Sequence, residues 1–307
     1  MFRSVLNQAC RKEDTGKGGR PPYDVVMMFK ILVLQRLYNL SDDQIEYQIN
    51  DRMSFMRFLG INLCDKVPDA KTIWKFKNDL AEAKAAEKLF CMFDEFLEKE
   101  GFISHKGTIV DATFVDAPRQ RNSRDENKKI KNGEIPEEWT NPENKNKLAQ
   151  KDTDADWAKK NEEKHYGYKD HVKCDADSKL ITNYSVTAAS VHDSQCCLFF
   201  IGEEDKVLYA DSAYSGKPIA LALPESCENQ ICEKGYRNNP RTPEQKENNR
   251  RKSKIRCRIE HIFGFMTGAM HGITIRSIGI TRAWFNIGIT NLVYNFCRYG
   301  FLKRASA

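Results

Sequence analysis

The chain has 307 residues, of which 40% are hydrophobic and 30% charged, and a formal net charge of +6. It has no run of about 18 apolar residues and no charged-then-apolar leader before a cleavage site, so we expect a soluble, cytoplasmic protein without membrane contact. Its ten cysteines are scattered without a C-x-x-C pair, its six histidines lack metalloprotease spacing, and no phosphate-binding P-loop pattern occurs, which argues against a zinc site, a disulfide framework and a nucleotide switch.

In chain order, the first twenty residues are polar and Gly-rich and read as loose up to Arg20-Pro21-Pro22. Pro22 suits a helix's first turn, and Val25, Val26, Phe29, Leu32, Val33, Leu37 and Leu40 follow helical spacing. Ser41-Asp42-Asp43-Gln44 is a capping-box pattern opening a second helix, with Ile45, Ile49, Met53 and Met56 as its apolar stripe and Gly60 as its end. Lys71 to Lys77 mixes basic and aromatic residues, and a longer helix runs from about Leu80 to Glu100. Short helices with a basic, aromatic third member fit a helix-turn-helix reader of DNA, which would use Lys75 and Lys77. They fit equally an ordinary helical bundle with Trp74 and Phe76 in its core.

Gly107 to Thr113 is a β-rich run that carries Asp111. From Ala117 to Lys164 charges of both signs crowd out aliphatics, leaving Trp139, Leu148 and Trp157 as anchors, so a mobile or partly ordered insertion is expected. His165 to Asp175 and Leu180 to Ala189 read as a hairpin that completes a three-stranded meander with the Asp111 strand. His192-Asp193-Ser194 opens a short crossing helix, with His192 as its cap or as a group near the reaction centre. Lys206 to Tyr214 is a second apolar strand reaching Asp211, and a fifth strand falls near Gln230-Ile231-Cys232. Apolar residues at 255, 259, 262, 263 and 266 then give one helix that carries Glu260.

Alone, an Asp at a strand end is ordinarily a turn residue or cap, and a helix Glu is ordinarily solvated. Together, three carboxylates suit Mg²⁺-type cations, which take oxygen ligands, and two such ions can activate one oxygen of a phosphodiester displacement and stabilise the other. Between Lys234 and Arg258 stand ten Lys or Arg against Glu244 and Glu247, a local excess larger than that of the whole chain. Such a run is often only a solvated face, but this one leads into the Glu260 helix and so points to a polyanionic substrate.

Strand, hairpin, helix, strand, strand and an acid-bearing helix is the order of a ribonuclease H-like domain, a mixed α/β fold with a mixed five-stranded sheet. Residues 20–60 and 67–80, together with 109–118, 152–175, 187–195, 208–216 and 256–266, resemble the DDE transposases of bacterial insertion sequences, in the group named after insertion sequence five. The resemblance covers nearly the whole chain and implies an all-α N-terminal DNA-binding domain over 1–103 and a catalytic domain over 104–307 with a charged insertion at about 117–164. It implies Asp111, Asp211 and Glu260 as catalytic residues holding two Mg²⁺ or Mn²⁺ ions. Asp116 lies five residues beyond Asp111 and so faces the other side of the strand. Arg250, Arg251, Lys254 and Arg256 would hold phosphates.

The implied partners are double-stranded DNA, as terminal inverted repeats and target, and at least one further copy of the chain; the implied location is the bacterial nucleoid. Arg256 and Glu260 match the family's helix signature, whereas Ser253 stands in its Tyr position and Thr267 in its Lys or Arg position. A plain metal-dependent nuclease and a non-catalytic DNA-binding descendant are the alternatives.

Overall fold

The computed structural model describes residues 1–10, 21–160 and 162–306. A short helix α1 (Arg3–Ala9) buries Leu6, although this part of the chain reads as loose; one apolar anchor, flanked by Phe2 and Val5 against the core, is enough to seat it. The rest of the loose segment, residues 11–20, lies outside the described residues.

Helix α2 (Val25–Leu37) starts at Asp24, whose carboxylate accepts hydrogen bonds from the backbone of Val26 and Met27, each at 3.0 Å. It is buried over most of its circumference, including Gln35 and Arg36. Helix α3 (Asp42–Asp51) opens with the anticipated capping box: Gln44 N donates to Ser41 Oγ at 3.2 Å and Ser41 N to Gln44 Oε1 at 2.9 Å. The single second helix is interrupted at extended Arg52, and α4 (Met53–Leu59) ends at left-handed Gly60. Met53, a member of the anticipated stripe, faces solvent. Asp69 caps α5 (Ala70–Glu82), which takes in the basic, aromatic segment; left-handed Lys84 then divides it from α6 (Ala85–Lys99).

Strand β1 (Thr108–Asp116) follows, then α7 (Arg124–Lys131), α8 (Glu137–Thr140) and α9 (Lys145–Ala149). These helices and β2 (Asp156–Lys160) occupy the charged insertion. Trp139 is fully buried there, its indole donating to Glu126 Oε1 at 2.7 Å, and the Lys151 ammonium lies 5.2 Å from the ring centre. One indole organises a segment whose aliphatic content is too low for an extended core.

Strand β3 (Glu163–Asp175) pairs antiparallel with β1, from Thr108 opposite Asp175 to Asp116 opposite Gly167. It also pairs antiparallel with β4 (Ile181–Ala188) and with β2. After α10 (Asp193–Cys197), β5 (Val207–Tyr209) lies parallel to β1, and after α11 (Lys217–Ala222), β6 (Glu228–Asn229) lies parallel to β5. The mixed sheet thus runs β4-β3-β1-β5-β6, as the ribonuclease H-like reading requires, but it has six strands rather than five because β2 of the insertion joins it. β6 begins two residues before the anticipated strand, and its hydrogen bonding to the β5 side continues through Cys232.

Helices α12 (Pro243–Arg256), α13 (Glu260–Thr267) and α14 (Ile280–Ala305) complete the fold. Nothing in the sequence reading marks α14. It is buried at every position from Phe285 to Asn295, so it lacks the one-sided periodicity of a surface helix. It packs against α2, α5, α6 and β4, and one hydrophobic core runs from Leu6 in α1 through the sheet to Tyr294. Asn295 donates to Ile181 O at 2.7 Å and accepts from Ile181 N at 2.9 Å, closing the end of β4. No helix among the described residues is long and apolar enough to cross a membrane.

Gly288 of α14 sits where a Cβ would overlap the Tyr184 hydroxyl and press on Ala86. Gly288→Ala should therefore cost about 1–3 kcal/mol in chemical denaturation; an unchanged midpoint would mean that the helix can shift on the sheet. Asp170, fully buried on β3, accepts from Asn291 Nδ2 at 3.1 Å, and burial raises its carboxyl from 3.8 to about 8. The native state therefore keeps a proton that the unfolded chain releases, so this group's contribution to stability is present below about pH 4 and is lost as the pH rises through 8. Asp170→Asn removes the effect: measured from pH 4 to 9, its stability relative to the wild type should climb with pH.

Candidate active site

Asp111 lies midway along β1, opposite Val172 of β3. On the other side of β1, Ile109 pairs with Tyr209 of the parallel strand β5. Carrying that register two residues onward sets Asp211 beside Asp111 at one end of the sheet. β5 stops at Tyr209, and Asp211 caps the 3₁₀ turn Ser212–Tyr214 by accepting from Ala213 N. Asp211 is therefore both the ordinary turn-capping residue and a neighbour of Asp111.

Glu260 approaches from the C-terminal helices. The single helix read across residues 255–266 is two: α12 ends at Arg256 and α13 begins at Glu260. Between them the backbone tightens into i→i−3 bonds, Arg258 N to Ile255 O at 3.0 Å and Ile259 N to Arg256 O at 3.1 Å. At this bend Arg256 Nη1 lies 3.1 Å from Asp111 Oδ2 and 3.7 Å from Glu260 Oε1. One guanidinium spans two of the three acids.

The Asp111 side chain is only 15% exposed, against 59% for Glu260. Burial pushes the Asp111 carboxyl up to about 6; the Ala112 backbone N–H and Arg256 oppose the rise, while the charges of Asp211 and Glu260 add to it. Tyr214, to which the sequence assigns no role, is buried just past Asp211 in the chain. Its hydroxyl has no hydrogen-bond partner among the described residues, and its pKa is raised by burial first and then by charges that include Asp111 and Asp211.

Among the described residues no three of His, Cys, Asp and Glu form a ready metal-ligand set. The donor chemistry nevertheless suits a hard divalent cation: Asp111 is buried beside two other carboxylates, and a guanidinium already supplies positive charge between two of the three.

The remaining candidates separate clearly. Arg250 and Arg251 project from α12 with side chains 73% exposed, each 3.6 Å from Glu247, and Lys254 is also exposed. Lys252 instead donates to Ile231 O, and Arg258 to Ala176 O and Asp177. On α5, Lys75 is exposed, but Lys77 is paired with Asp42 and is not a free cation as the DNA-reading helix would need. Phe76 is core, as in a helical bundle, while Trp74 is exposed. His192 takes the cap reading, accepting from Ser194 N at 3.3 Å. Asp116 is exposed near His165. Ser253 lies 3.9 Å from Cys232 Sγ, and Thr267 Oγ1 donates back to Phe263 O at 2.9 Å, so both signature departures are engaged locally.

The fold is thus a ribonuclease H-like mixed sheet with Asp111 on β1, Asp211 in the turn just beyond β5 and Glu260 at the start of α13. The family model described as "Transposase DDE domain" matches residues 103–296, and that described as "Transposase domain (DUF772)" matches residues 1–79. The chain belongs to the transposase DDE-domain family. Domains of this family generally use divalent metal ions. Among solved structures, the chain is loosely similar to one described as the cryo-EM structure of piggyBac transposase synaptic complex with hairpin DNA, at 11% identity and a TM-score of 0.45 over 97% of this chain and 72% of that one.

In metal-free protein, Arg256→Ala should raise the Asp111 carboxyl further and Glu260→Gln should lower it, since the first removes an attraction and the second a repulsion. A carboxyl-carbon NMR titration in which neither variant moved the Asp111 midpoint would overturn this electrostatic picture.

Proposed function

We propose that the protein is a transposase of the insertion-sequence-five type. It binds the terminal inverted repeats of its element, hydrolyses the phosphodiester at the element ends and joins the freed 3′-hydroxyl to target DNA. The observation that best supports this reading is the Arg256 guanidinium between Asp111 and Glu260, at the end of a helix that exposes Arg250, Arg251 and Lys254. Carboxylates for cations and cations for phosphates thus meet at one bend.

In this reading Asp111, Asp211 and Glu260 hold two Mg²⁺ or Mn²⁺ ions, which when bound supply the charge that activates the attacking oxygen and stabilises the leaving one. Arg256 leaves the carboxylates for the scissile phosphate, and Arg250, Arg251 and Lys254 hold flanking phosphates as charge-assisted donors. In hydrolysis a water oxygen bonds to phosphorus as one ester bond breaks, leaving a 3′-hydroxyl and a 5′-phosphate. In joining, that hydroxyl oxygen bonds to a target phosphorus, its proton leaves, and a target 3′-oxygen departs. No bond to the enzyme forms. The helices over residues 1–103, with Lys75 exposed, form the end-binding region, and residues 104–307 perform the chemistry. Holding two ends calls for a homodimer or larger assembly, acting in the bacterial cytoplasm at the nucleoid.

The test is purified protein with labelled DNA carrying the element ends, in Mg²⁺ or EDTA, beside Glu260→Gln. The expected outcome is metal-dependent cutting at the ends and joined products, with the rate in the Gln variant reduced at least about a hundredfold. Cutting without joining would make the protein a nuclease. Binding without cutting by either protein would make it a non-catalytic DNA-binding descendant.

A further inference from the structure

Away from the three acids, a cavity of about 260 Å³ opens where α2, α3 and α5 meet α14 and the segment before it. At about 30 Å³ per water it has room for several waters or one phosphate group. Four cations line it, Arg36, Lys77, Arg276 and Arg282, against one carboxylate, Asp42, which is already taken by Lys77.

The three arginines have neutral partners. Arg36 is 8% exposed and donates to Asn286 Oδ1 at 2.8 Å. Arg276 donates to the side-chain and backbone oxygens of Asn39, and Arg282 to Asn78 Oδ1 and Ile278 O. Among the described residues none of the three has a carboxylate within ion-pair distance. A buried guanidinium without a counter-ion gives up hydration without gaining a pair, and it offers a planar fork of donors suited to phosphate. Burial, and then the charge of Arg276, bring Arg36 down to about 10, while Asp42 acts against that shift.

The lining does not end there. Arg276, Ser277 and Ile278 also wall a second cavity of about 360 Å³, which brings in Arg119, Arg121 and Lys151. Its one carboxylate, Asp152, is held by the Tyr168 hydroxyl at 2.7 Å. Positive charge therefore continues from one cavity to the next across Arg276, an arrangement that suits successive phosphates of a polyanion better than one small ion. Neither cavity is lined by any of the three acids.

We infer that these two cavities form a second DNA site, in which Arg36, Arg276 and Arg282 take one backbone phosphate and Arg119 and Arg121 another. The inference rests on DNA being the partner, as proposed above, and assigns the contact to the junction between the N-terminal helices and the region before α14. Because backbone phosphates are read without regard to sequence, a duplex of arbitrary sequence is a sufficient probe.

The experiment is fluorescence anisotropy of the full chain with a labelled 40-base-pair duplex of arbitrary sequence over a range of salt. Arg276→Gln plus Arg282→Gln should lower the slope of log affinity against log salt by about 2, and Arg276→Lys plus Arg282→Lys should restore most of it. Arg119→Gln plus Arg121→Gln, at exposed positions, should produce a similar fall and serves if the first pair impairs folding. Arg250→Gln plus Arg251→Gln reports separately on the α12 surface. If that pair lowers the slope while folded variants at the cavities leave it unchanged, the second site is wrong and the DNA reading stands. If the wild type binds no duplex, both fail. If inorganic phosphate raises the melting temperature of the wild type but not of the Gln variants, with no change in DNA slope, the cavities hold a free anion and the DNA site is overturned.

Discussion

A carboxylate withdrawn from water at the edge between two parallel strands must be protonated or accompanied by positive charge, and Asp111 is in that position. The arrangement around it follows from that condition. β1 and β5 run in the same direction and so bring Asp111 and Asp211 to one end of the sheet, which gathers like charges rather than dispersing them. The α12–α13 bend then carries a guanidinium between Asp111 and Glu260.

How much of this could be read from residues alone depended on whether a signal was local. Ser41 with Gln44 and the apolar run through Asp111 are short-range patterns that appear in the fold, whereas the strand read over Lys206 to Tyr214 forms only over Val207–Tyr209 and leaves Asp211 in a turn. The break at residues 257–259 was illegible because a tightened turn of i→i−3 bonds preserves helical hydrophobic spacing while changing the helix's course. α14 was missed for the opposite reason: burial on all sides erases periodicity. The insertion was under-read because its order rests on one indole and its polar neighbours rather than on a count of aliphatics. Tyr214 carried no signal at all, since its burial and the influence of the Asp111 and Asp211 charges on it arise only in the fold.

α14 also bears on how the two halves relate. Its residues meet α2, α5, α6 and β4 at once, and its asparagines hydrogen-bond to β3 and β4. The N-terminal helices and the sheet therefore share one hydrophobic interior instead of meeting across a hydrated seam. The chain presents its basic surfaces in a fixed mutual geometry.

The insertion has a different relation to the whole. It leaves the sheet after β1 and returns through β2 to β3, and Trp139 gives it a small interior of its own. The ladder from β3 through β1 to β5, which sets the spacing of Asp111 and Asp211, borrows nothing from that interior. Length and composition between β1 and β2 can thus change without disturbing the spacing of Asp111 and Asp211.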